Sequence, residues 1–218
     1  MASFLRRHIP RILYQHNNVP RHHAISTVQS GTLYEHQVIH ELSTLGAHLE
    51  RTGGASDQGI DMRGKWQLPD HPAFYMVGQC KHYGRKRIGP SVIREWEGVM
   101  SRQMPDTLGL VAASSGFTRG AVDAARSSVF PIALATIQAA FPLEEMTEQE
   151  EVKVKEAMLE ECQGAAGNIR GLVWNAAAEP FIGRMMVVKK HFDVRVFELT
   201  DPAQFTIQIL WDGKPLIE

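Results

Sequence analysis

Apolar residues recur at helical spacing from Gly31 to Gly46, where Tyr34, Val38, Leu42 and Leu45 share one face. The period then changes. Ala47–Arg51 has the length of a short strand and is closed by Thr52-Gly53-Gly54. Gly59–Trp66 and Phe74–Lys81 read as two more strands. Between them, Gln67-Leu68-Pro69-Asp70-His71-Pro72 reads as a loop longer than a minimal hairpin, because two prolines cannot serve a central ladder. Pro90 suits the first turn of a helix reaching about Gln103. Thr107–Ala113 is an apolar run short enough for a buried strand, Thr118–Ser128 is Ala-rich and helical, and Ile132–Ile137 is a second buried strand. Strands and helices in this order predict an α/β fold, with a mixed central β-sheet flanked by helices.

Past Pro142 the pattern changes character. Glu144–Gln163 reads as a very acidic helix, and Met185–Val188, Val194–Leu199 and Phe205–Trp211 as strands. These place a domain boundary near residue 142, with residues 31–142 forming the main domain and 143–218 a small C-terminal α+β appendage. No internal repeat or low-complexity tract is visible.

The 218 residues suffice for one core plus such an appendage, and 44% apolar with 22% charged residues is ordinary for a soluble globular protein. No apolar run approaches the length of a membrane-spanning helix. Cys80 and Cys162 are too few for a disulfide framework or a zinc site and are expected as buried thiols. The net charge of −1 conceals an asymmetry. Residues 1–140 carry 15 Lys/Arg against 10 Asp/Glu, whereas residues 141–218 carry 8 against 14. A basic front half suits a polyanionic partner, although a basic leader explains much of the excess by itself. From Met1 to Tyr34 there is no acidic residue, while Arg6, Arg7, Arg11 and Arg21 alternate with Phe4, Leu5, Ile9, Ile12 and Leu13. An Arg-rich, acid-free, amphipathic start predicts a mitochondrial targeting leader over residues 1–30; the alternative is a disordered basic arm that touches nucleic acid.

Two short segments carry the candidate chemistry, 53–61 (Gly-Gly-Ala-Ser-Asp-Gln-Gly-Ile-Asp) and Gln79-Cys80-Lys81. Residues two apart on a strand share a face, so Gln79 and Lys81 project together and Cys80 turns the other way into packing. With Asp61 on an adjacent antiparallel strand, three polar groups converge at one sheet position. A carboxylate and neighbouring oxygen ligands suit a hard divalent cation such as Mg²⁺. Such a cation polarises a phosphodiester and acidifies a bound water, while Lys81 orients that water and offsets the developing charge. Glu35 falls on the apolar face of the first helix, where a buried carboxylate needs a partner, and a metal would serve. Thr32-Leu33-Tyr34-Glu35 is equally a capping-box pattern.

The series Gly-x-x-Tyr-Glu at 31–35, Gly-Gly-x-x-Asp-x-Gly-Ile-Asp at 53–61 and Gln-x-Lys at 79–81 resembles the Mrr-like restriction endonuclease domain of the PD-(D/E)XK nucleases. The likeness continues through Ile93, Trp96, the stretch Leu110–Thr118 and the helix at Ala121–Ala125, and so covers roughly residues 31–140. It implies a restriction-endonuclease-like fold with Glu35, Asp61, Gln79 and Lys81 as the catalytic set and Glu35, Asp61 and Gln79 as metal ligands. Asp57 matches a recurrent acid of that family, with a loop hydrogen bond and a metal contact both open as its role. The acid-free leader and the tail also resemble a fungal mitochondrial branch described as required for respiratory growth.

These resemblances imply a Mg²⁺-dependent deoxyribonuclease, with Mn²⁺ as a substitute cation, acting on DNA in mitochondria. RNA as a partner and a homodimer are left open. Arg85, Lys86 and Arg87 follow the Gln-x-Lys strand where a phosphate backbone would pass, and a solvated loop would look the same. Ser115 and Thr118 flank a strand-to-helix turn whose amides could hold another phosphate, and ordinary helix capping explains them equally. The competing function is a nuclease-fold nucleic-acid-binding protein with little or no catalysis.

Overall fold

A computed structural model describes residues 27–52, 58–140, 168–191 and 205–216. The leader up to residue 26, the loop 53–57 that includes Asp57, the acidic helix expected over 144–163 and the strand expected at 194–199 lie outside the described residues.

The chain opens with α1 (Thr27–Ser43) and continues through β1 (Ala47–Arg51), β2 (Met62–Trp66) and β3 (Phe74–Lys81). Then come α2 (Pro90–Met100), β4 (Thr107–Ala113), α3 (Arg119–Ser127) and β5 (Ile132–Ile137). These follow the expected order. α1 begins one turn earlier than its pattern showed and takes in residues expected in the leader, among them the buried Ser30. The helix start at Thr27 also removes the capping-box reading, since Thr32 and Glu35 lie inside the helix, away from its free amides.

Strands β1 to β6 form one mixed sheet in sequence order, β6 being Ile169–Trp174. β1, β2 and β3 pair antiparallel, β3, β4 and β5 pair parallel, and β6 returns antiparallel to β5. Parallel neighbours need crossovers, and α2 and α3 supply them on one face of the sheet. There Val92, Ile93, Trp96, Val99, Met100, Ala121 and Ala125 bury against Val77, Val111, Ala113, Ile132 and Leu134. The opposite face is covered by α1, whose Leu33, Tyr34, Val38 and Leu42 pack on Met62, Trp66, Met76, Leu108 and Leu110. Every residue of β4 is buried, as a central strand covered on both faces requires. The turn out of α1 runs through Gly46, whose φ of +87° closes the helix tightly enough for β1 to run straight back beneath it.

Beyond residue 142 the chain serves both regions. β6, which its pattern did not reveal, completes the main sheet, after which a 3-10 turn (Ala176–Ala178) leads into the short α4 (Glu179–Ile182). β7 (Met185–His191), β8 (Phe205–Trp211) and β9 (Lys214–Pro215) form a second, three-stranded antiparallel sheet. That sheet docks on the loop between β2 and β3. The Trp211 indole donates to Pro69 O at 2.7 Å, and the His71 ring sits edge-on between Phe74 and Trp211 at 5.7 Å from each. Among the described residues no helix is long and apolar enough to cross a membrane.

Candidate active site at the end of strand β3

The β2–β3 ladder stops at the Met62–Gly78 pair. Among the described residues Gln79, Cys80 and Lys81 therefore have a strand partner on the β4 side alone, opposite Val111, Ala112 and Ala113. Asp61 fills the position that a longer β2 would have taken. Its amide donates to Gly78 O at 2.9 Å, and its carboxylate accepts the Cys80 amide at 2.6 Å. Thr52 pins the base of the same loop, with its amide on Asp61 O and its hydroxyl on Ile60 O. Gly59 supplies the left-handed turn just before, at φ +83°, with its own face against the Gln79 amide.

Register fixes the direction of each β3 side chain. Val111 and Ala113 belong to the core under α2 and α3, so their partners Gln79 and Lys81 face that side together, as expected. Ala112 belongs to the core under α1, and Cys80 faces that side. Glu35, carried by α1, comes from the Cys80 side. The structure thus brings Gln79 and Lys81 together on one face and sets Glu35 on the other. Asp61 stands at the strand end between them. The Cys80 thiol registers the grouping: burial pushes it well above its usual range, Asp61 and Glu35 add to the rise, and Lys81 and Arg51 oppose it. Charges from α1, β1, β3 and the loop before β2 thus act on one sulfur.

Glu35 has a protein partner where the sequence reading offered a metal. Arg51, at the end of β1, holds its carboxylate through Nε and reaches Thr32 Oγ1 at 3.3 Å through the guanidinium tip. Helix rise and strand rise made this pairing readable. Glu35 lies about 12 Å back along α1 from the helix end, and Arg51 about 13 Å forward along β1, so the two meet at one height.

Gln79 is the most informative member. It is 8% exposed, its Nε2 donates to Gly59 O at 3.0 Å, and its Oε1 is buried without a hydrogen-bond partner among the described residues. A buried carbonyl oxygen left unpaired costs roughly 1–3 kcal/mol. A hard cation is the kind of partner that relieves such an oxygen. The Asp61 carboxylate and the Gln79 carbonyl are oxygen donors, the type Mg²⁺ takes. Among the described residues no three His, Cys, Asp or Glu side chains form a cluster able to hold a metal.

Around this centre, His82 stacks on Tyr34 at 5.3 Å and places Nδ1 2.9 Å from the Ser114 hydroxyl, and Tyr34 donates to Ile137 O at 2.9 Å. Burial raises the Tyr34 phenol, which stays neutral. Arg85, Lys86 and Arg87 are exposed on the loop after β3. Thr118 caps α3, accepting the Ala121 amide at 3.3 Å, and the Ser115 hydroxyl donates to Lys86 O. The Thr118 hydroxyl thus caps α3, and the Ser115 hydroxyl ties the loop at Lys86.

Comparison with known proteins adds identity by descent. The family model described as Required for respiratory growth protein 7 matches residues 26–77 and 71–162. An uncharacterized mitochondrial protein of Schizosaccharomyces pombe is 34% identical over 126 residues, covering 56% of this chain and 50% of its own. The mitochondrial Required for respiratory growth protein 7 of Lachancea thermotolerans is 54% identical over 57 residues, 25% of this chain and 22% of its own. The matches thus span half or less of these relatives' lengths. Among solved structures, the MspJI restriction endonuclease in complex with a 27-mer oligonucleotide aligns with a TM-score of 0.37 and 17% identity, over 47% of this chain and 25% of that one.

Proposed function

We propose that this chain, a mitochondrial protein that belongs to the Required for respiratory growth protein 7 family, is a divalent-metal-dependent nuclease of the PD-(D/E)XK class acting on DNA. The observation that carries the reading is the buried, unpartnered Oε1 of Gln79 beside the Asp61 carboxylate at the open end of β3. Asp61 and Gln79 would hold Mg²⁺ or Mn²⁺ at the strand end, while Glu35 stays on the α1 side in its pair with Arg51. A bound cation of this kind supplies charge to a phosphate oxygen and acidity to a water. Lys81, on the face of Gln79, would orient an attacking water and offset charge developing on the phosphate. Cys80 gives its backbone amide to Asp61 and so fixes the carboxylate's direction. Arg85, Lys86 and Arg87 contact the phosphate backbone without reading sequence.

The test uses plasmid and branched DNA with Mg²⁺ or Mn²⁺. Cleavage should disappear in EDTA and fall about 100-fold or more in Lys81→Ala and in Asp61→Asn, which keeps an acceptor for the Cys80 amide. Mg²⁺ should also raise the melting temperature of the unaltered chain and leave that of Asp61→Asn unmoved. Cleavage that survives both substitutions removes the assignment.

A second reading, a nuclease-fold nucleic-acid-binding protein with little catalysis, draws on one observation: Glu35 is already engaged by Arg51. Salt-sensitive DNA binding without metal-dependent cleavage on any substrate would favour it.

A further inference from the structure

The segment after Lys81 is a built loop. The Lys86 amide closes a turn on Tyr83 O at 3.0 Å, and Gly84 occupies the left-handed region at φ +53°. Ser115 ties Lys86 O from the neighbouring strand end, and Ile88 exchanges hydrogen bonds with Gly116 and Thr118 at 2.9 Å each. On this pinned frame stand three exposed cations, Arg85, Lys86 and Arg87, with no acidic residue anywhere between Asp70 and Glu95. Among them Tyr83 is 48% exposed. The other two described tyrosines have partners: Tyr34 stacks on His82, and Tyr75 lies under Lys65 Nζ at 5.1 Å. Tyr83 has no ring, cation or side-chain hydrogen bond among the described residues.

An exposed aromatic ring on a pinned loop that carries three cations is what a nucleobase and its phosphates complement. In a continuous duplex the base faces are already covered by their neighbours. Only an unpaired nucleotide offers a free face. Two residues of extended chain separate Tyr83 from Lys81, about 7 Å, so the base next to the phosphate held at Lys81 is the one within reach of the ring.

We propose that Tyr83 is a stacking platform for an unpaired DNA base beside the scissile phosphate. The preferred substrate is then single-stranded DNA, or duplex with a flap or gap at the cleavage point. Arg85, Lys86 and Arg87 draw in the flanking phosphates. The proposal rests on the nuclease reading for its phosphate, and its test is run without divalent cation so that the two fail separately.

The full chain in EDTA is titrated against labelled 20-mers of single-stranded DNA, RNA of the same sequence and duplex DNA, followed by fluorescence anisotropy. Single-stranded DNA should bind tightest. Tyr83→Ala should weaken that binding by about five- to a hundredfold, leave duplex binding unchanged and leave the melting temperature of this exposed position in place. Tyr83→Phe, which keeps the ring, should restore binding. Unchanged single-strand affinity in Tyr83→Ala, an equal loss on duplex, or absence of DNA binding overturns the stacking role. Tighter binding to RNA overturns DNA as the strand. A selective loss in Tyr83→Ala alongside no cleavage in Mg²⁺ keeps the platform and removes the nuclease.

Discussion

At the scale of single residues, the site balances one paired acid against one unpaired amide. Glu35 is 17% exposed and Arg51 33%, so their ion pair is partly screened and contributes on the order of 1 kcal/mol. Arg51→Met should remove about that much, measured by urea denaturation. Adding Glu35→Gln should restore stability. A double variant no more stable than Arg51→Met would show that the pair does not act as described. Asp61, Gln79 and Lys81 were legible because strand alternation and a Gly-rich approach mark such positions locally. Arg51 was not marked by its neighbours. Its partner lies 16 residues away, and finding it required laying the helix and strand rises side by side.

At the scale of elements, α1, β1, β3, α2, β4, α3 and β5 could be read from apolar period and length, because each is bounded by Gly, Pro or a capping residue. β6 could not. Arg170 and Val173 are exposed, Gly171 and Trp174 are half-buried, and so the strand lacks the clean alternation that announces one. What holds it is tertiary. At its end Asn175 is 3% exposed and uses all its polar capacity: Oδ1 accepts the amides of Ile132 and Ala178, and Nδ2 donates to Ala125 O, Ser128 O and Phe130 O. Asn175→Ala would strand these groups where α3, β5 and the 3-10 turn meet. It should cost about 2–4 kcal/mol by chemical denaturation and speed amide exchange at Ile132. A loss under about 0.5 kcal/mol would show that water replaces the side chain without difficulty.

At the scale of the whole molecule, one buried acid makes stability depend on pH. Glu41 is 3% exposed, takes one hydrogen bond from Asn168 Nδ2 at 2.6 Å, and leaves Oε2 without a hydrogen-bond partner. Burial raises its carboxyl above the ordinary 4.5, while Asn168, His40 and Arg170 lower it by less. A carboxyl raised on folding binds more protons in the folded than in the unfolded chain. Its stabilising contribution is whole below pH 4.5 and is lost as pH climbs through the folded value. Glu41→Gln should therefore melt higher than the unaltered chain near neutral pH, with the gap closing as pH falls toward 4.5. A gap that stays constant with pH would assign the effect to something other than this proton.

The same contact has a practical corollary. Asn168 and β6 reach back from beyond residue 142 to cover α1 and the outer side of β5. A fragment trimmed at the compositional break would present Ala133 to Ile137, four of them buried, along a bare hydrogen-bonding edge open to any passing chain. The main sheet is complete only with the tail woven in.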